Sequence, residues 1–184
     1  YEVDLNSATS LAIPYNYNGE QPNFYNVPKG EASPLLLGSF TGKVKNGLGC
    51  NVMVLNQNVH CTGTHTECAG HILEDDIFIH DVLTPEFILT HLISVSPIHW
   101  SETKERYHCN VQENDRVITR EMINEHVTHS IDGLVLRTLP NSEDKLTRKY
   151  HTRNTPFFTT EAIHFINDLG VIHWVVDSPT VDKY

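Results

Sequence analysis

The chain has 184 residues, 39% of them apolar, which is enough to bury a core in one domain spanning residues 1–184. Its 13 Lys and Arg stand against 23 Asp and Glu for a formal net charge of −10, and no basic cluster is present to neutralise phosphates, so nucleic acid is excluded as a partner. No stretch approaches the roughly 20 apolar residues of a bilayer span, so a membrane is excluded too and the expected compartment is cytoplasmic, with room for a processed segment before Tyr1.

The opening, residues 1–34, is rich in Asn, Pro and Tyr and is expected to form strand and loop, an N-terminal arm. Cys50 to Val59 is β-prone and predicts a strand running directly into a histidine-rich segment. Asp76-Ile-Phe-Ile-His80 and Leu92-Ile-Ser-Val-Ser96 are predicted strands, and Thr84-Pro85-Glu86-Phe87 a helix or turn start. His80, His91 and His99 are read as structural or solvated. A helix is predicted over Thr119–Asn124 behind a Thr119 cap, then a buried strand over Gly133–Thr138, then a polar loop from Pro140 to Asn154. Thr159-Thr160-Glu161-Ala162 opens a helix carried by Ile163, Phe165, Ile166 and Leu169, which Gly170 ends before a strand over Val171–Val176. With Leu134–Leu136 this makes a βαβ crossover with parallel strands, and Asp177, Ser178 and Asp182 fall past its carboxyl end. The fold class is therefore α/β.

The segment Val59-His60-Cys61-Thr62-Gly63-Thr64-His65-Thr66-Glu67-Cys68-Ala69-Gly70-His71 holds nitrogen, carboxylate and sulfur donors, the types a borderline divalent cation accepts. In an extended backbone His65 and Glu67 share a face, and Gly63 and Gly70 allow the chain to curl around them. A chance grouping among 12 histidines is the bland alternative; it is outweighed because ligand types and glycines agree. The four cysteines, Cys50, Cys61, Cys68 and Cys109, are read as reduced, since a chain this long does not need disulfides for its core.

Thr62-Gly63-Thr64-His65-Thr66-Glu67, ending in His71, resembles the His-x-Gly-Thr-His-x-Asp-x-x-x-His signature of the cyclase family, whose best-known members are bacterial kynurenine formamidases. The helix from Thr159 to Gly170 and Val176-Asp177-Ser178-Pro179-Thr180-Val181-Asp182 resemble that family's late helix, strand and Asp-x-x-Ser-x-Asp turn. The similarity runs from about Cys50 onward, with residues 1–34 matching loosely.

The resemblance implies a single-domain swivelling β/β/α fold and hydrolysis of an amide or ester, arylformamidase-like or on a cyclic amide, with water activated by one or two zinc or manganese ions. It makes His65 a ligand, puts Glu67 in place of the family's bridging aspartate, and gives His71 the proton-transfer role, which an imidazole titrating near neutrality suits. The family's first ligand histidine falls at Cys61. Strand parity favours Cys61, whereas a bulge at Gly63 brings in His60, which keeps the nitrogen and oxygen donor set; the ligands are taken as His60, His65 and Glu67, with Cys61 as the alternative. The family's remaining ligands are expected in a segment beyond Tyr184. The implied partners are a small-molecule substrate and further copies of the chain, as a homodimer or higher oligomer. The rival class is a non-catalytic metal- or ligand-binding protein of the same fold. A cysteine nucleophile at Cys61 or Cys68 paired with His71 has no orienting group or oxyanion hole in view.

Overall fold

A computed structural model of the chain describes residues 4–46, 49–85, 87–150 and 155–183. The chain divides into two compact units, Tyr1–Glu67 with Leu146–Lys149, and Cys68–Lys145 with Tyr150–Tyr184.

The first unit carries strands β1 (Glu31–Pro34), β2 (Leu36–Leu37), β3 (Phe40–Thr41) and β4 (Met53–Asn56), and one helical turn, α1 (Val59–Thr62). β1 pairs antiparallel with β4, Glu31 opposite Asn56, and β2 pairs with β3. Apolar burial is sparse here: Phe24 is the one hydrophobic residue among the buried ones of this unit's described residues. Hydrogen bonding takes over the work of the missing apolar core. The buried Gln21 amide donates to the carbonyls of Asn16 and Gly30 at 2.7 and 2.9 Å and accepts from the Gly30 N–H at 2.9 Å, closing the Asn- and Pro-rich loop on itself.

The second unit holds α2 (Ile79–Val82), β5 (Thr90–Val95), β6 (Ile98–His99), β7 (Arg116–Ile118), α3 (Arg120–Asn124), β8 (Gly133–Thr138), β9 (Phe157–Phe158), α4 (Thr160–Asp168) and β10 (His173–Val176). A three-stranded parallel sheet, ordered β10-β8-β5, has Leu134 opposite both Trp174 and His91. β8 lies between the other two, and its Leu134 and Leu136 are almost wholly buried, as a central parallel strand requires. A second sheet, β6-β7-β9, pairs Ile118 with Phe158. The core gathers Ile93, Val95, Leu134 and Leu136 of the parallel sheet with Ile123 and Val127 from the α3 region and Ala162, Ile166 and Leu169 from the α4 region.

Most of the second unit follows the expected plan. Thr119 caps α3, and Thr159 caps α4 by accepting from the Ala162 N–H at 3.1 Å. Gly170 follows the α4 terminus at φ +80°, the left-handed conformation that glycine adopts without strain. α4 and its C-cap Leu169 bury residues 162, 166 and 169, one face at helical spacing, and β10 and β8 run parallel on either side of the helix in sequence.

Three expectations are corrected. Asp76–His80 is not a strand: Phe78 is extended but Ile79–Val82 turns as helix, with the Asp81 carboxylate accepting from the Phe78 N–H at 3.3 Å. A short apolar run fits either period, and the acid at the third helical position decides it. The strand predicted from Cys50 to Val59 shrinks to Met53–Asn56, because the Asn58 carbonyl captures the N–H groups of Cys61 and Thr62 at 3.3 and 3.2 Å and starts α1 instead. Thr84, Pro85 and Phe87 lie in neither a helix nor a turn, and Glu86 of the predicted helix or turn start lies outside the described residues. The loop after Pro140 contains a 3₁₀ turn at Glu143–Leu146, and its residues 151–154 lie outside the described residues. The four cysteines are free thiols, as expected. Among the described residues no helix is long and apolar enough to cross a membrane.

Candidate metal centre

The site is built by one turn of helix followed by extended chain. α1 carries His60 and ends at Gly63, whose φ of 179° and ψ of 178° return the backbone to full extension. Thr62 is buried and its hydroxyl donates to the Asn58 carbonyl at 2.6 Å, holding the turn closed. From the extended stretch His65 and Glu67 project two residues apart, as predicted, and the helical turn swings His60 to meet them.

His60, His65 and Glu67 each offer one donor atom, and the three atoms lie within 4.8 Å of one another. Glu67 Oε2 is 3.2 Å from His60 Nδ1 and 3.5 Å from His65 Nε2. Ligand bonds of about 2.0–2.2 Å at tetrahedral angles put donors roughly 3.3–3.5 Å apart, so these two edges already have the span that zinc needs. The His65 ring is oriented from behind: its Nδ1 donates to the Gly63 carbonyl at 3.0 Å, so Nε2 is the nitrogen that faces Glu67. The two imidazoles meet edge to face with centroids 5.0 Å apart. Side-chain exposures of 42% for His60, 24% for His65 and 49% for Glu67 leave the cluster open to a small molecule.

The sequence left His60 and Cys61 as rivals for the first position. His60 is the one grouped with His65 and Glu67. Strand parity pointed to Cys61 because it assumed extended chain through residue 61; the helical turn over Val59–Thr62 removes that assumption. Burial pushes the Cys61 thiol up from its ordinary pKa. His71 is not in the three-residue group. It sits exposed in a 3₁₀ turn, Ala69–His71, of the second unit.

The acids beyond β10 have local partners. The Asp177 carboxylate accepts from the Thr138 N–H at 3.0 Å, from its hydroxyl at 2.9 Å and from Lys145 Nζ at 2.7 Å. The Ser178 hydroxyl donates to the Thr180 carbonyl at 2.9 Å, and Asp182 accepts from the Tyr107 hydroxyl and the Lys183 N–H. These residues stitch the turn after β10 to β8 and to the segment near Tyr107.

The family model described as "Putative cyclase" matches residues 3–183. The chain belongs to this family. No curated protein matches it. Among solved structures, the cyclase-family chain is similar to one described as a predicted metal-dependent hydrolase from Bacillus stearothermophilus, with TM-score 0.52 and 14% identity over 94% of this chain and 69% of that one. At that identity the likeness concerns the fold, a mixed α/β arrangement.

Residues 13–17 escaped the sequence reading. The Ile13 N–H donates to the Thr64 hydroxyl at 2.9 Å, and the Tyr15 ring lies against Gly63, where a Cβ would come within 2.5 Å of its Cζ. The alternation Ile13-x-Tyr15-x-Tyr17 was the available signal, a period of two within a stretch dominated by Asn and Pro.

Proposed function

We propose that this cyclase-family protein is a metal-dependent hydrolase that cleaves an amide or ester, arylformamidase-like or acting on a cyclic amide, with His60, His65 and Glu67 holding zinc or manganese. The observation that carries the reading is the convergence of two imidazole nitrogens and one carboxylate oxygen within 4.8 Å. Two histidines and one glutamate form a donor set of catalytic zinc sites, which keep a further position for water or substrate. A bound ion would supply Lewis acidity, lowering the pKa of a water toward about 7.

The chain's own residues do the rest. The Glu67 carboxylate brings the negative charge that offsets a dication, and the Gly63 carbonyl keeps His65 in the tautomer whose Nε2 is a donor. The open face of the cluster admits the carbonyl compound. His71 is assigned the proton transfer: its imidazole hands a proton to the leaving nitrogen or oxygen and is recharged from solvent. The name of the Bacillus stearothermophilus structure agrees with this chemistry. The same reading includes the swivelling β/β/α arrangement, one domain over residues 1–184, a cytoplasmic location and a homodimer or higher assembly.

Purified protein loaded with zinc or manganese is expected to hydrolyse N-formylkynurenine or another aryl formamide, or a cyclic amide, and to stop when chelated. Turnover that survives exhaustive chelation overturns the metal mechanism. Stoichiometric metal binding with no turnover on either substrate class transfers the chain to the non-catalytic metal-binding class.

A further inference from the structure

Three alternate residues of the N-terminal arm each engage the segment that carries the metal ligands. The Ile13 N–H donates to the Thr64 hydroxyl, next to His65. The Tyr15 ring lies against Gly63, where a Cβ would come within 2.8 Å of its hydroxyl oxygen and Cε1 as well as 2.5 Å of Cζ. The Tyr17 hydroxyl donates to the Gln57 side-chain carbonyl, one residue before the Asn58 that starts α1. Residues 13, 15 and 17 are half-buried while 12, 14, 16 and 18 are exposed, the alternation of an extended strap with one face down. The two tyrosines stack with centroids 5.7 Å apart and planes 18° from parallel, so Tyr17 holds the Tyr15 ring against the glycine.

We propose that residues 13–17 are a strap that presets the metal centre, with Tyr15 the positioning residue: its ring fixes the Gly63 peptide, whose carbonyl orients His65. The inference rests on the metal reading of His60, His65 and Glu67. The line of action is physical contact at each step, from the Tyr15 ring to the Gly63 backbone, from the Gly63 carbonyl to His65 Nδ1 at 3.0 Å, and from the far side of the same ring to the donor atom. Without the ring, Gly63 regains the conformational range of a residue with no side chain, and the carbonyl that sets the His65 tautomer loses its fixed direction. Nothing in this scheme requires Tyr15 to touch the ion or the substrate.

The test is metal binding, read apart from turnover. Cobalt(II) is titrated into the wild type, Tyr15→Ala, Tyr15→Phe and His65→Ala, following the visible absorption of the bound ion, and zinc affinity is obtained by competition. Tyr15→Ala is expected to lose roughly 10–100-fold in affinity, the range for partners that orient a ligand, and to show an altered cobalt spectrum. Tyr15→Phe, which keeps the ring, is expected to restore both, which a general loss of stability would not do. Wild-type affinity and spectrum in Tyr15→Ala overturn the strap. If Tyr15→Ala does not fold, Thr64→Val, which deletes the hydroxyl that anchors Ile13, decides in the same way by the same two readouts. Cobalt uptake that His65→Ala leaves unchanged brings down the metal reading itself, and the strap with it.

Discussion

Replacing His60 or Cys61 by alanine asks which neighbouring side chain reaches the metal, and the helical turn over Val59–Thr62 predicts the answer. A ligand that binds only the folded state stabilises it by RT ln(1 + [L]/Kd), about 2.7 kcal/mol at a free metal concentration one hundred times Kd. Partners that merely orient a ligand are worth about 10–100-fold in affinity, so a hundredfold weakening is a floor for losing the ligand itself. At the same metal concentration that weakening leaves [L]/Kd near one and a stabilisation of about 0.4 kcal/mol, a deficit of about 2.3 kcal/mol. At about 2–4 °C per kcal/mol for a chain of this size, His60→Ala forfeits roughly 5–9 °C of the metal-induced rise in Tm. Cys61→Ala is expected to keep the rise, because the thiol stands outside the donor group. Scanning fluorimetry with and without zinc measures both variants in one afternoon's titration. A zinc shift abolished by Cys61→Ala and intact in His60→Ala would refute the assignment and restore the strand-parity argument for sulfur.

Leu134→Ala empties a wholly buried position at the centre of the parallel sheet and is expected to destabilise the chain by about 2–5 kcal/mol, read from urea unfolding; a loss under about 1 kcal/mol would mean the second unit's core does not close around β8. Asp177→Ala strips partners from the Thr138 N–H and hydroxyl and from Lys145, and is expected to cost about 1–3 kcal/mol by the same measurement without touching zinc affinity. Burial pushes the Glu161 carboxyl up, but the hydrogen bonds from the Arg106 guanidinium and backbone N–H outweigh it and hold the group below its ordinary value of 4.5. A carboxyl lowered by folding contributes stability that is present above its unfolded pKa and lost as pH falls through the folded one, so the advantage of wild type over Glu161→Gln should be constant near neutrality and disappear in acid. A gap between the two proteins that widens on acidification contradicts the pairing.

The second unit was legible because its elements announce themselves at both ends. Thr159 and Gly170 bracket α4, and the apolar positions between them keep helical spacing; β8 carries the apolar run Leu134-Val135-Leu136, the pattern of a strand inside a parallel sheet. Such signals are local, and they survive because tertiary packing agrees with them. The first unit carries few of them. Its strands are short, β4 exposes all four of its residues, and its order comes from polar groups such as the Gln21 side-chain amide, whose partners at Asn16 and Gly30 lie too irregularly along the chain for periodicity to find.

The metal cluster falls between these cases. Residue types and spacing singled out His65, Glu67 and His71, and the resemblance to the cyclase family added a first ligand position, taken as His60 with Cys61 as the alternative. The geometry that joins His60 to the other two was not readable, because it depends on whether four residues coil or extend. Extended chain would have placed Cys61 on the ligand face and His60 opposite; one turn of helix rotates successive side chains by about 100° and reverses that choice. The reversal is set by Asn58, whose carbonyl takes both the Cys61 and Thr62 N–H groups, and by Thr62, whose hydroxyl adds a third bond to the same oxygen. A single backbone carbonyl thus decides whether His60 or Cys61 joins His65 and Glu67, and with it whether the group offers nitrogen and oxygen donors alone or a sulfur as well.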